Sequence, residues 1–168
     1  MTKSKQHKEH TTLSKNMEIV LTKRKNRNTM TCIGQDGSIT SVSIVPSVIN
    51  HDLAHYIVEN KLKLKSDFFG NIKSGKSIEE LSDPELIQDL SPETWLSEIL
   101  TRNLQSLRLG SVKKEQFKEI ITLESEKISG IKVPEIEFEN LCEMKQDFDV
   151  LCDKWNSLFE GEKMTLFL

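Results

Sequence analysis

Three β-rich segments follow one another within residues 17–45, joined by linkers too short for a parallel crossover, which restricts this part of the chain to an antiparallel meander. Met17–Lys23 (MEIVLTK) has a β-branched centre, and the polar run Lys23–Asn28 suits a hairpin loop. Thr29–Gly34 (TMTCIG) reads as the second strand. Gln35-Asp36-Gly37 supplies a tight turn, because Asp-Gly accepts positive φ. Ser38–Val45 (SITSVSIV) alternates Ile39, Ser41, Ser43 and Val45 against Thr40, Val42 and Ile44, the period of a strand. Met164–Leu168 (MTLFL) reads as a last strand. It is expected to join the meander, since an apolar strand left alone would be an unprotected edge.

Between these strands the apolar spacing becomes helical. Asn50 is a candidate cap for a helix from about His51 to Leu64, with Asp52 in its first turn. Phe68-Phe69-Gly70 is expected in a loop that closes at Gly75. Ser77 with Glu80 forms a capping box for a short helix. Ser91 caps the next, with Pro92 at its first position and Gly110 beyond its end, and Trp95, Ile99, Leu100, Asn103 and Leu107 along one side. A further helix is expected over residues 112–128. The last runs from Glu135 to Phe159 with the stripe Leu141, Met144, Phe148, Leu151, Trp155, Leu158. The fold class that follows is α+β: a small antiparallel sheet, the three-stranded meander plus the C-terminal strand, packed against four to five helices on one face. Residues 16–168 are expected to form one domain, preceded by a disordered basic leader over residues 1–15.

Composition narrows the setting. No apolar run is long enough to span a membrane, and the lysine-rich start lacks the apolar stretch of a signal peptide. Cys32, Cys142 and Cys152 show no pairing rhythm, which fits a reducing cytoplasm. The net charge of −3 hides a strong polarity. Residues 1–28 are strongly basic, while residues 78–168 carry twenty acids against ten Lys and Arg. Nucleic acid is not an expected partner, because the basic stretch contains no Phe, Tyr or Trp to stack on bases. The acidic last helix is the candidate surface for a protein partner or for self-association.

The chemistry concentrates in His51-Asp52-Leu53-Ala54-His55. Imidazoles at i and i+4 of a helix point the same way, about 6 Å apart at their roots, and one divalent ion such as zinc can bridge them. Glu59 continues the stripe. Its distance along the helix axis from His51, about 12 Å, keeps it from sharing one ion with that residue, so it is placed behind His55, orienting the ring. Asp52 projects about 100° away from the histidines along the 3.6-residue helical turn and serves the helix start. The third ligand must come from elsewhere, with Asp67, Cys32, Glu79 and Glu80 as candidates. Without a metal, His55 and Glu59 form a candidate acid–base pair, because a carboxylate holds the ring and favours its charged form. No Ser or Cys adjoins either histidine, so a nucleophilic triad has no support.

A second string calls for phosphate chemistry. Gly70-Asn71-Ile72-Lys73-Ser74-Gly75-Lys76-Ser77 matches the phosphate-loop pattern letter for letter. Its context does not match. That loop needs a buried parallel strand before it, and here a helix ending in Lys61–Lys65 precedes it. The run Phe148–Asp153 imitates the acidic strand of such enzymes, yet it lies inside the last helix.

In four places the chain resembles an uncharacterised bacterial family. These are Met17–Thr22 with the Asp36-Gly37 turn; His51-Asp52-Leu53-Ala54-His55-Tyr56-Ile57-Val58-Glu59; Asp67-Phe68-Phe69-Gly70 with Gly75; and Trp155-x-x-Leu158-x-x-Gly161-x-x-Met164-x-Leu166. The resemblance spans most of residues 17–168 and implies a shared fold and a role for the histidine helix, without an assigned activity. Locally, the histidine motif also resembles that of a coenzyme Q biosynthesis protein, in which HDxxH followed, after eleven intervening residues, by Glu binds zinc. Here that spacing lands on Asp67, a departure from Glu, and the strands at the start depart from that family's helical fold. The resemblance implies His51, His55 and Asp67 as ligands. The expected function is therefore a metal-binding cytoplasmic protein with a hydrolase- or lyase-like site. The rival is a non-enzymatic interaction module whose histidines are structural.

Overall fold

Strand alternation sets the sheet, and the computed structural model describes it within residues 16–83, 85 and 91–168. Strands β1 (Glu18–Thr22), β2 (Asn28–Ile33) and β3 (Ile39–Ile44) form the expected meander, and β4 (Lys163–Phe167) adds to its free side, giving the antiparallel order β3-β2-β1-β4. The register places Ile19 opposite both Cys32 and Leu166, and Leu21 opposite both Met30 and Met164. These six side chains share one face and are buried. The opposite face carries Thr31 and Ser41, whose hydroxyls meet at 2.9 Å. One face is dry and one wet, as period-two patterning requires.

Six α-helices stand among the described residues, against the four to five expected: α1 (Ile49–Leu62), α2 (Phe68–Lys73), α3 (Ile78–Ser82), α4 (Pro92–Arg108), α5 (Lys114–Ser125) and α6 (Phe138–Ser157). Helix α1 is central, packing on both α4 and α6. It buries Leu53, Ala54, Ile57 and Val58. Each large apolar side chain so buried contributes roughly 1.5–3 kcal/mol. Tyr56 ties α1 to the sheet by donating to the Phe167 carbonyl at 3.1 Å.

Several local expectations are met. Ser77 and Glu80 form the capping box of α3, and Ser91 accepts from the Thr94 amide at the start of α4. Others are corrected. A short 3-10 turn at Pro46–Val48 leads directly into α1, so Asn50 lies inside that helix rather than capping it. The segment expected as a Phe68-Phe69-Gly70 loop is helix α2, because the Asp67 side chain caps it by accepting from the Gly70 amide. The buried stripe of α4 includes Leu96 and Leu104, while Trp95 is 42% exposed. In α6 Cys152 takes the fully buried position expected for Leu151. All three cysteines are free, and no helix among the described residues is long and apolar enough to cross a membrane. The leader expected over residues 1–15 lies outside the described residues.

The phosphate-loop reading fails on geometry. Gly70 sits within α2, with the strands antiparallel and earlier in the chain. Its amide already donates to Glu59 and Asp67, and the lack of a side chain lets the Lys65 carbonyl approach so closely that a Cβ would collide with it. The glycine serves packing of the polypeptide against itself.

Candidate metal centre

Helical spacing puts His51 and His55 one turn apart on α1, with ring centroids 4.7 Å apart and planes nearly perpendicular. Their Nε2 atoms face each other at 3.1 Å. Glu98, on α4, closes the group: one carboxylate oxygen lies 2.9 Å from His55 Nε2 and the other 3.4 Å from His51 Nε2. Three potential ligand atoms thus fall within 4.8 Å of one another. Ligands at metal bonds of 2.0–2.2 Å and tetrahedral angles stand roughly 3.3 Å apart, so the observed separations suit a single ion.

The outer ring nitrogens are both engaged. His51 Nδ1 lies 2.9 Å from the Gln105 side-chain oxygen, which can only accept. His51 therefore carries its proton on Nδ1, and in the neutral ring its Nε2 lone pair is bare. His55 Nδ1 faces Glu59 at 3.5 Å and the hydroxyls of Thr101 at 3.3 Å and Ser97 at 3.5 Å. A carboxylate there favours the same tautomer. Two imidazole nitrogens and a carboxylate thus point at one spot, an arrangement satisfied either by a ring Nε2–H donating to Glu98 or by a bound metal ion.

The titration of His51 and Glu98 reflects their closeness. The Glu98 carboxylate lifts the His51 pKa above its ordinary value, against burial and the neighbouring His55. Burial opposes ionisation of Glu98, but the hydrogen bonds from His51 and His55 outweigh it and hold its carboxyl well below the usual range. His55 is sealed, with 3% of its side chain exposed, whereas 33% of His51 and 42% of Glu98 reach solvent. The centre is anchored on one side and open on the other.

Behind His55 lies a second carboxyl pair. The Glu59 carboxylate accepts from the Phe69 amide at 2.9 Å and the Gly70 amide at 3.2 Å. Asp67 packs beside it and caps α2 through its other oxygen. Burial raises both carboxyls, and their closeness raises Asp67 further. Asp67 thus stands behind Glu59, outside the group formed by His51 and His55, and Glu98 takes the place at which the sequence reading put it. Glu59 lies behind His55 as expected, with a fully buried side chain. Cys32 is buried in the sheet, its thiol pushed up to about 12 by burial and by Asp52 and Glu59.

Sequence reasoning missed Glu98 and the environment of Asp52. The available signal for α4 was a row of polar residues, Ser97, Thr101 and Gln105, at four-residue spacing beside Glu98 and next to the apolar stripe Leu96, Leu100, Leu104. That row is what faces the two imidazoles. Asp52 is buried and lines a cleft of about 310 Å3 together with His51, His55 and Glu98. Burial pushes its carboxyl up to about 6 against the pull of the histidines. Glu98, Phe68 and Leu81 also border a larger cleft of about 470 Å3. Compared with known proteins, the chain matches no family model, no curated protein and no solved structure.

Proposed function

We propose that His51, His55 and Glu98 bind one divalent cation of the zinc class, and that the chain is a metal-dependent enzyme of hydrolase or lyase type. The observation that carries this reading is the convergence of two imidazole Nε2 atoms and a carboxylate at 2.9–3.4 Å, with both Nδ1 atoms engaged on the far side. Two histidines and one glutamate leave a coordination position for water or substrate, and a bound ion acidifies that water toward neutrality. Glu59 and Gln105 hold the rings so that Nε2 faces the ion. Asp52, which lines the same cleft, is the carboxyl placed to exchange a proton with a bound reactant. Glu59 is a positioning residue, because its buried side chain has no access to that cleft. The free cysteines support a reducing, cytoplasmic setting.

The rival reading, an interaction module, draws on the acids of α6. Part of that charge is engaged inside the molecule: Asp147 pairs with Lys61 at 2.7 Å, and Asp149 with Arg108 at 2.7 Å. Elemental analysis of tag-free protein, purified without chelators, separates the two. The expected result is about one zinc, iron or manganese per chain in the wild type by the stoichiometry of a single site. It should be lost in Glu98→Gln and in the His51→Ala/His55→Ala double variant, with circular dichroism unchanged. A metal-free wild type that gains no thermal stability from added Zn2+, Fe2+ or Mn2+ overturns the proposal and leaves the histidines structural.

A further inference from the structure

The larger cleft is built on one face of α4. Trp95, Glu98, Ile99 and Arg102 follow one another at helical spacing and all line it, with Phe68 opposite. Folding alone does not account for this stripe. Trp95 stays 42% exposed in a concave surface, although the same helix buries Leu96, Leu100 and Leu104. Arg102 holds Glu124 at 2.8 Å yet keeps 62% of its side chain in solvent, leaving donors free for another oxyanion. Trp95 stands one turn before Glu98, and Arg102 one turn after it, each about 5–6 Å away at the Cβ atoms.

We infer that the site takes an elongated small molecule with an oxygen donor that reaches the metal, an apolar body against Trp95 and Phe68, and an oxyanion, carboxylate or phosphate, that pairs with Arg102. This rests on the metal reading above and adds the class of ligand. The apolar walls hold the body by excluding water from it. The guanidinium selects a planar or tetrahedral oxyanion by paired hydrogen bonds. Glu98 and Phe68 border both clefts, so a ligand seated in the larger one lies against the Glu98 side of the proposed metal position and would extend its oxygen donor past Glu98 to the ion, with His55 kept in its sealed position.

Three hydroxamates test this on the zinc-loaded full chain by titration calorimetry. Acetohydroxamate carries only the chelating head. Benzohydroxamate adds the apolar body, and 4-carboxybenzohydroxamate adds the charge. The aryl ring should tighten binding about tenfold or more over acetohydroxamate. The carboxylate should add about fivefold more, the size of a part-exposed ion pair. Trp95→Ala should remove the first gain and Arg102→Gln only the second, both with unchanged acetohydroxamate affinity and zinc content. An aryl gain that is absent, or that survives Trp95→Ala, overturns the placement of the body. Equal affinity with and without the carboxylate overturns the role of Arg102. In both cases acetohydroxamate still binds, so the metal centre stands. Absence of zinc together with absence of acetohydroxamate binding overturns the metal reading, and this inference with it.

Discussion

His55 meets a carboxylate at each ring nitrogen, and the two carboxylates live in opposite surroundings. Glu59, at Nδ1, has no exposed side-chain surface, and Glu98, at Nε2, is 42% exposed. Glu59 is held by two backbone amides of α2 and by Asp67. Glu98 is held by the two imidazoles and borders two clefts. The same functional group therefore does different work. At the back it fixes a ring by being fixed itself, and at the front it keeps freedom to coordinate and to meet a ligand. A site that needs both precision and access divides them between two sides of one imidazole.

The contrast can be broken most severely at the back. Glu59→Ala leaves the Phe69 amide without its acceptor, leaves Gly70 with Asp67 alone and opens a cavity, so stability should fall by about 3 kcal/mol, read by urea denaturation. A loss under about 1 kcal/mol would show that α2 does not depend on this carboxylate. At the front the loss should appear in binding instead. Glu98→Gln should weaken zinc affinity at least about a hundredfold in a chelator competition while changing stability of the metal-free protein by less than about 1 kcal/mol. A large loss of fold here would erase the distinction between the two carboxylates. Gln105→Leu removes only the partner of His51 Nδ1, and metal affinity should fall about tenfold.

The smallest effect sharpens the comparison through pH. Asp67 has its pKa pushed up to about 10 from 3.8 by burial first, then by Glu59. Its folded pKa lies above its unfolded value, so the stability it contributes is complete below about pH 3.8 and declines as pH rises toward the folded value. Glu59 acts in the same direction, with its pKa raised to about 7. Asp67→Asn keeps one donor toward Glu59 and one acceptor for Gly70. It should therefore change stability by under about 1 kcal/mol at acid pH and flatten the decline between about pH 4 and 8, measured on metal-free protein. An unchanged slope would mean that Asp67 ionises freely in the folded chain. Glu98 behaves oppositely: its depressed pKa gives stability that is present above the unfolded value of 4.5 and lost as pH falls below it.

Legibility in the sequence followed the range of the interaction. The strands, the Ser77–Glu80 box and the Ser91-Pro92 start of α4 depend on neighbours a few residues away, and each was readable from spacing. The histidine pair was readable for the same reason. Helix α2 was not, because its cap works jointly with Glu59, which comes from another helix. Glu98 was not, because its meeting with His51 and His55 depends on how α4 crosses α1, and no local pattern encodes that crossing. Asp67 has the right residue type at a suggestive spacing, but the turn after Lys63, in the left-handed conformation at φ 54°, brings the chain back behind His55. The Asp52 environment was hidden likewise: a residue read as serving the helix start is buried by the sheet lying over α1.

The pairing of β4 with β1 has a consequence for the order of folding events. Within the meander, β1, β2 and β3 find each other across short turns, so their pairing needs little loop closure. Thr22 and Lys163 pair across nearly the whole described chain, and that step must wait until the intervening helices have shortened the path. Pulse-labelling hydrogen exchange during refolding should therefore protect β2 amides early and β4 amides last, with Met30 and Leu166 as reporters. Simultaneous protection would place the long-range pairing in the folding nucleus. In the sequential case there is an interval in which β1 already carries one neighbour but still offers a bare edge, and the dwell time of that edge sets how readily two refolding chains join by it.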